Sequence, residues 1–189
     1  MCRMRLMMRL LSLLPLILLL APACKTVPEK DPEDLITANV DAEFTRFRPV
    51  ALAVLKVEAP ARQMRDQVRR AAQRQLLDRR KYSPIRLDVI DARTDRDGVF
   101  KPGSDLEVDA TVHVTVLRWV AMKDRSMYRC DADMVITHTS GVELYRCTLR
   151  DGGIKVTDLA DATNDYRNCS NLIVGKLLEK LPNCPPAPE

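Results

Sequence analysis

The sequence predicts an α/β fold of the α+β kind: a single mixed or antiparallel sheet of about five strands with two helices on one face. Two observations carry this. Residues 107–120 and 127–137 alternate apolar and polar side chains with a period of two, the mark of strands with one buried and one wet face. Residues 61–81 and 164–181 place apolar side chains at helical spacing. A third observation sets the boundary of the domain: the first two dozen residues match neither pattern and run from basic to apolar to small.

That leading segment comes first in the chain. Arg3, Arg5 and Arg9 are followed by the apolar run from Leu10 to Leu20, then by Ala21, Pro22, Ala23 and Cys24. This order reads as a secretory signal. The run is too short for a membrane span, which needs about 20 apolar residues. Two processing chemistries are open. Cleavage after Ala23 by an ordinary signal peptidase would release a soluble periplasmic protein. Alternatively Cys24 accepts a diacylglyceryl group and a further acyl chain such as palmitate, and this is the favoured expectation. The segment resembles a lipobox, although Ala21 stands where leucine is common and Pro22 is unusual. Two or three acyl chains anchor stably where one is marginal. Lys25 follows, resembling an outer-membrane address facing the periplasm.

The 189 residues less a leader of 23 leave 166, enough for one domain and a tether. The whole chain has a formal charge of +4, but the leader removes three arginines and no acid, which leaves 27 basic against 26 acidic residues. The overall basicity therefore does not call for an acidic partner. Four cysteines remain beyond Cys24: Cys130, Cys147, Cys169 and Cys184. An even number in an exported chain suggests disulfides, with three possible connectivities. A Cys169–Cys184 bridge is disfavoured because a helix over 166–181 would hold the two about 20 Å apart. Cys130–Cys147, or both strand cysteines joined to the C-terminal segment, stay open.

Residues 24–48 are polar with mixed charge and read as a flexible tether. The domain is expected over 49–182. PVALAVLKVE at 49–58 reads as a buried strand ended by Pro60. Helix 61–81 follows, with Ala61, Met64, Val68, Ala72 and Leu76 on one stripe. IRLDVID at 85–91 reads as a second strand. Next comes the alternating stretch with Val108, Ala110, Val112, Val114 and Val116 on one side and Asp109, Thr111, His113 and Thr115 on the other. Residues 127–137 put Tyr128, Cys130, Ala132, Met134 and Ile136 inward. After a turn at His138–Gly141, residues 142–150 return antiparallel with Leu144, Tyr145, Cys147 and Leu149 inward. Asp151, Gly152 and Gly153 read as a loop, 164–181 as the last helix, and 183–189 as a Pro-rich tail. The expected order is β-α-β-β-β-β-α.

With these stretches in place, the chain resembles a group of envelope lipoproteins related in fold to the TolB N-terminal domain. The group includes the curli-secretion lipoprotein and the penicillin-binding-protein activator lipoprotein. The matching stretches are PVALAV at 49–54, LLDRRKYSPI at 76–85, DATVHVTVLRWV at 109–120 and SGVELYR at 140–146. Tyr82, Trp119, Gly141, Leu144 and Tyr145 occupy the places of the group's recurrent aromatic, glycine and leucine positions. The resemblance implies a binding or assembly role in the cell envelope and no catalysis. It does not extend to pore formation, since the long membrane-spanning hairpins of the curli pore protein have no counterpart here.

The motifs of enzymes are missing. There is no phosphate-cradling glycine loop, HExxH or nucleophile elbow. The two histidines, His113 and His138, are expected on solvated positions. No CxxC pair supports a metal site, so neither metal nor other cofactor is expected. The strongest charge feature is the helix at 61–81. Arg62, Arg65, Arg69, Arg70 and Arg74, with Arg79, Arg80 and Lys81 behind them, face only Asp66 and Asp78. It is either a patch for an anionic partner or an exposed face whose arginine stems cover the core edge. Nucleic acid is not the expected partner of an exported chain. The expectation is a lipid-anchored, non-enzymatic protein held at a membrane, acting as a binding or assembly factor for another envelope protein. Self-association into a homo-oligomeric structural component is the alternative.

Overall fold

The alternating stretches fold as their period requires. A computed structural model describes residues 34–95, 99, 101, 106–122, 127–155 and 162–186, with side chains from Tyr166 onward in the last stretch. The leader, Cys24 and the tether up to residue 33 lie outside the described residues, as do 187–189. In chain order the elements are β1 (Leu35–Val40), α1 (Glu43–Phe47), β2 (Ala51–Glu58), α2 (Arg62–Asp78), β3 (Ser83–Pro84), α3 (Leu87–Arg93), β4 (Ala110–Met122), β5 (Met127–His138), β6 (Glu143–Lys155) and α4 (Ala162–Leu177).

They form one mixed sheet in the order β1-β6-β5-β4-β2-β3. The β4-β5-β6 meander and β1 are antiparallel, while β2 runs parallel to β4 and to β3. A parallel pair needs a long crossover, and α2, β3 and α3 supply it. The inward residues of the meander (Val112, Val114, Val116, Ala132, Met134, Ile136, Cys147 and Leu149) are buried, as their parity predicts. They pack against Met64, Val68 and Leu76 of α2 and Ile173, Val174 and Leu177 of α4 in one core.

Parity changes where the ladder slips. A register shift between Val116 and Arg118 turns the end of β4 over. Trp119 thereby lands on the core side, half-buried and stacked on Tyr128 with ring centroids 4.2 Å apart. Leu117, by contrast, is exposed.

The structure corrects the sequence reading in four places. Residues 35–47 belong to the folded domain rather than to a tether: β1 pairs with β6 from Leu35↔Arg150 to Val40↔Tyr145, and Phe44 of α1 is buried. Residues 85–91 are not a strand. Pairing on that flank ends at Ile85, whose N–H reaches Leu52 O at 2.8 Å, and the chain then turns into α3. Asp88 in its first turn and Arg93 in its last suit the helix dipole, and Ile90 is fully buried. Gly152 and Gly153 continue β6 instead of forming a loop. The tail is held as far as Pro186: Tyr82 Oη donates to Pro182 O at 2.8 Å, Cys184 N to Arg80 O at 2.7 Å, and Arg48 Nη2 to Pro186 O at 3.1 Å.

Candidate functional site

The two edges of the sheet differ in how their backbone is satisfied. On the outer side of β2, three alternate carbonyls each find a donor. Val50 O accepts from Ser83 N at 3.0 Å, Leu52 O from Ile85 N at 2.8 Å, and Val54 O from Arg69 Nε at 3.2 Å. The Arg69 guanidinium also pairs with Asp91 of α3 at 2.5 Å. The two-residue strand Ser83–Pro84, with its proline, and an arginine head thus cover this flank as far as Val54, in the manner by which proteins blunt sheet edges. On the opposite flank β1 is the terminal strand, and no described residue pairs with its outer side. Its side chains are small or aliphatic, with Leu35 58% and Val40 40% exposed. A six-residue edge of this kind is a template for strand addition.

The sheet face away from α2 and α4 carries a charge lattice. Arg118 Nε lies 2.9 Å from Asp131 Oδ2, and Arg118 Nη2 lies 3.3 Å from Asp151. Arg129 Nε lies 2.8 Å from Asp151, and Arg150 Nη1 2.6 Å from Asp133. Asp131 also accepts the Asp151 backbone N–H at 2.7 Å, where Asp151 takes a left-handed φ of 53° at the bulge. Among the described residues three guanidinium groups therefore meet three carboxylates. Paired half-buried charges of this sort contribute little net stability.

The histidines occupy unrelated places. His113 is half-buried beside Lys56 in the β2–β4 register, and burial lowers its pKa, with the neighbouring Lys56 charge adding to the shift and Glu58 opposing it. His138 stacks on Phe47 at 3.9 Å and meets Ser140 Oγ through Nδ1 at 2.8 Å. Among the described residues no three His, Cys, Asp or Glu side chains gather where they could hold a metal ion. No helix among them is long and apolar enough to cross a membrane.

Of the arginines singled out from the sequence, Arg62, Arg65, Arg70 and Arg74 are exposed on α2. Arg69 is not part of that surface, because Val54 O and Asp91 hold it. Arg80 is likewise withdrawn: its Nη2 donates to Leu178 O at 2.5 Å and Glu179 O at 2.7 Å, satisfying carbonyls left over where α4 ends. Neither role was legible in the sequence, since each partner lies at least 15 residues away.

No disulfide forms among the described cysteines. Cys130, Cys147 and Cys169 are buried as thiols and Cys184 is half-buried. A Cys130–Cys147 bridge is excluded by register. Cys130 faces Gly152 and Cys147 faces Met134, so the two are four residues apart along β5. That is about 13 Å at the rise of a strand, against a Cα limit of about 7 Å. Burial pushes the Cys130 thiol up to about 12 and raises those of Cys147 and Cys184 as well. Alkylation of native protein with iodoacetamide at pH 8 should therefore modify Cys184 alone among the four, and all four in urea. Peptide mass spectrometry checks this, and rapid native labelling of Cys130 or Cys147 would contradict the buried placement.

No family model matches the chain, and no curated protein sequence matches it. The chain is similar to solved structures. The PelC dodecamer of Paraburkholderia phytofirmans is similar at a TM-score of 0.51 and 10% identity, over 80% of this chain and 99% of that one. A variant PelC dodecamer from the same organism gives 0.47 and 9%, over 77% and 97%. The lipoprotein GNA1162 of Neisseria meningitidis gives 0.43 and 13%, over 70% and 98%.

Proposed function

We propose that the mature chain is a lipid-anchored, non-catalytic component of the bacterial cell envelope that binds another envelope protein through the open edge of β1. The asymmetry of the sheet carries this reading. One flank has the carbonyls of Val50, Leu52 and Val54 capped by Ser83, Ile85 and Arg69, while among the described residues the other presents the six residues of β1. A partner strand added there gains main-chain hydrogen bonds, with Leu35 and Val40 available as side-chain anchors. The leader, which ends at Ala23 just before Cys24, supports export and acylation, and Lys25 supports an outer-membrane location facing the periplasm. On this reading the chain joins the envelope lipoproteins of TolB N-terminal-like fold.

A second reading is self-association into a structural oligomer in which the same edge makes one of the contacts. The fold shared with a protein crystallised as a dodecamer favours it.

One set of measurements tests both. Lysines on an edge strand oppose strand addition, and Thr37 and Asn39 are exposed. The double variant Thr37→Lys, Asn39→Lys should weaken the bound species at least about tenfold with an unchanged circular dichroism spectrum. Light scattering tells a homo-oligomer from a complex with a second protein. An unaltered assembly would remove β1 from the mechanism. Intact mass of the native protein should show acyl chains on Cys24, and a retained leader would defeat the anchoring.

A further inference from the structure

The exposed arginines of α2 are not used by the edge of β1, which lies at the far side of the sheet. Arg62, Arg65, Arg70 and Arg74 are exposed and form no ion pair with a described residue, and the acids on exposed positions of the helix are Asp66 and Asp78. The four span about 18 Å of helix. Arg70, Arg74 and Leu77 recur at the i, i+4, i+7 spacing that puts them on one face, and Leu77 is 52% exposed. An exposed leucine set in a row of arginines suits the boundary between headgroups and acyl chains better than it suits a soluble polyanion.

Topology adds a second observation. β2, β4 and β6 end at the same side of the sheet, where β1 begins and where α2 starts four residues after Glu58. Asp34, the first described residue, accepts the Gly153 N–H there at 3.0 Å. Ten residues separate Cys24 from Asp34, a reach of at most about 35 Å. An acyl anchor on Cys24 would therefore leave from the end of the domain that carries Arg62 and Arg65.

We infer that this face of α2 docks on an anionic phospholipid bilayer, orienting the domain so that the tether end and the helix lie against the headgroups. The orienting role rests on the proposed acylation of Cys24, whereas the affinity of the face for lipid does not. Among the described residues the core draws on those from 36 to 184, and the chain without residues 1–23 keeps all of these. The probe is that chain carrying Cys24→Ser, sedimented with vesicles of phosphatidylcholine alone or with about a third phosphatidylglycerol. Binding to the anionic vesicles, none to the neutral ones, and release by about 0.5 M NaCl are expected. A basic residue near such a surface is worth about fivefold in partitioning. Arg65 lies half a turn from Arg74 and outside this face, so the triple change to Glu at Arg62, Arg70 and Arg74 should cost about a hundredfold, while the triple change to Lys retains binding. Leu77→Gln should weaken binding to vesicles and leave binding to heparin unchanged. Equal binding to both vesicles, binding indifferent to the Glu variant, or retention on heparin without any on vesicles would each overturn the inference. A native protein lacking acyl chains on Cys24 would overturn the anchoring alone and leave this result standing.

Discussion

Tyr145→Ala should lower the unfolding free energy by about 4 kcal/mol, in the range of a large buried aromatic lost from a core. Tyr145 is fully buried where β6 meets the end of α4, and its hydroxyl donates to Leu177 O at 2.6 Å. The last carbonyls of a helix have no partner within it, so this phenol satisfies a group that the fold would otherwise bury unpaired. Burial lifts the Tyr145 phenol far above its ordinary pKa, which keeps it a donor throughout the neutral and mildly alkaline range. Tyr145→Phe keeps the ring and removes only the donor, and should cost about 1–3 kcal/mol. Urea denaturation of both variants with unchanged m-values checks this. A cost below about 1 kcal/mol for the alanine variant would mean that α4 does not pack on β6 as described.

Gly152→Val should cost about 2–3 kcal/mol through overpacking. A Cβ at this position would lie 2.9 Å from Leu149 Cδ2 and 3.1 Å from Cys130 Sγ. Both neighbours are fully buried, so neither has free volume to move into. Cys130→Ala in the same chain removes one of the two obstructions. The pair should therefore be less destabilising than the sum of the singles, by about 0.5 kcal/mol or more. Strict additivity in thermal or urea unfolding would show that the strand does not make this close approach.

The glycine also explains part of what the sequence concealed. Asp151-Gly152-Gly153 has the composition of a loop, yet β6 runs through it because the close approach to Leu149 and Cys130 requires a residue without a side chain. The meander was legible because its alternation needs no knowledge of neighbours: Val112, Val114, Val116, Met134 and Ile136 are buried by parity alone. β1 was hidden because LITANV lies in a polar stretch and becomes a strand only by pairing with β6. α3 was hidden because Ile85, Leu87, Val89 and Ile90 satisfy a strand pattern as readily as a helical one. Its helical signals, Asp88 early and Arg93 late, weigh little in seven residues. At the candidate site, the basic helix was visible as a charge run. Which arginines remain exposed was not, because Arg69 and Arg80 are claimed by groups brought near only by folding.

The capped flank at β2 limits what strand addition can build. If β1 is the one border of the described sheet that takes a strand, as proposed, that route has a valence of one: once two copies meet along it, no further copy joins by the same edge, and it does not build run-on fibres. Any assembly larger than a pair must recruit a second, chemically different contact, with the helical layer or the charged sheet face as the remaining sources.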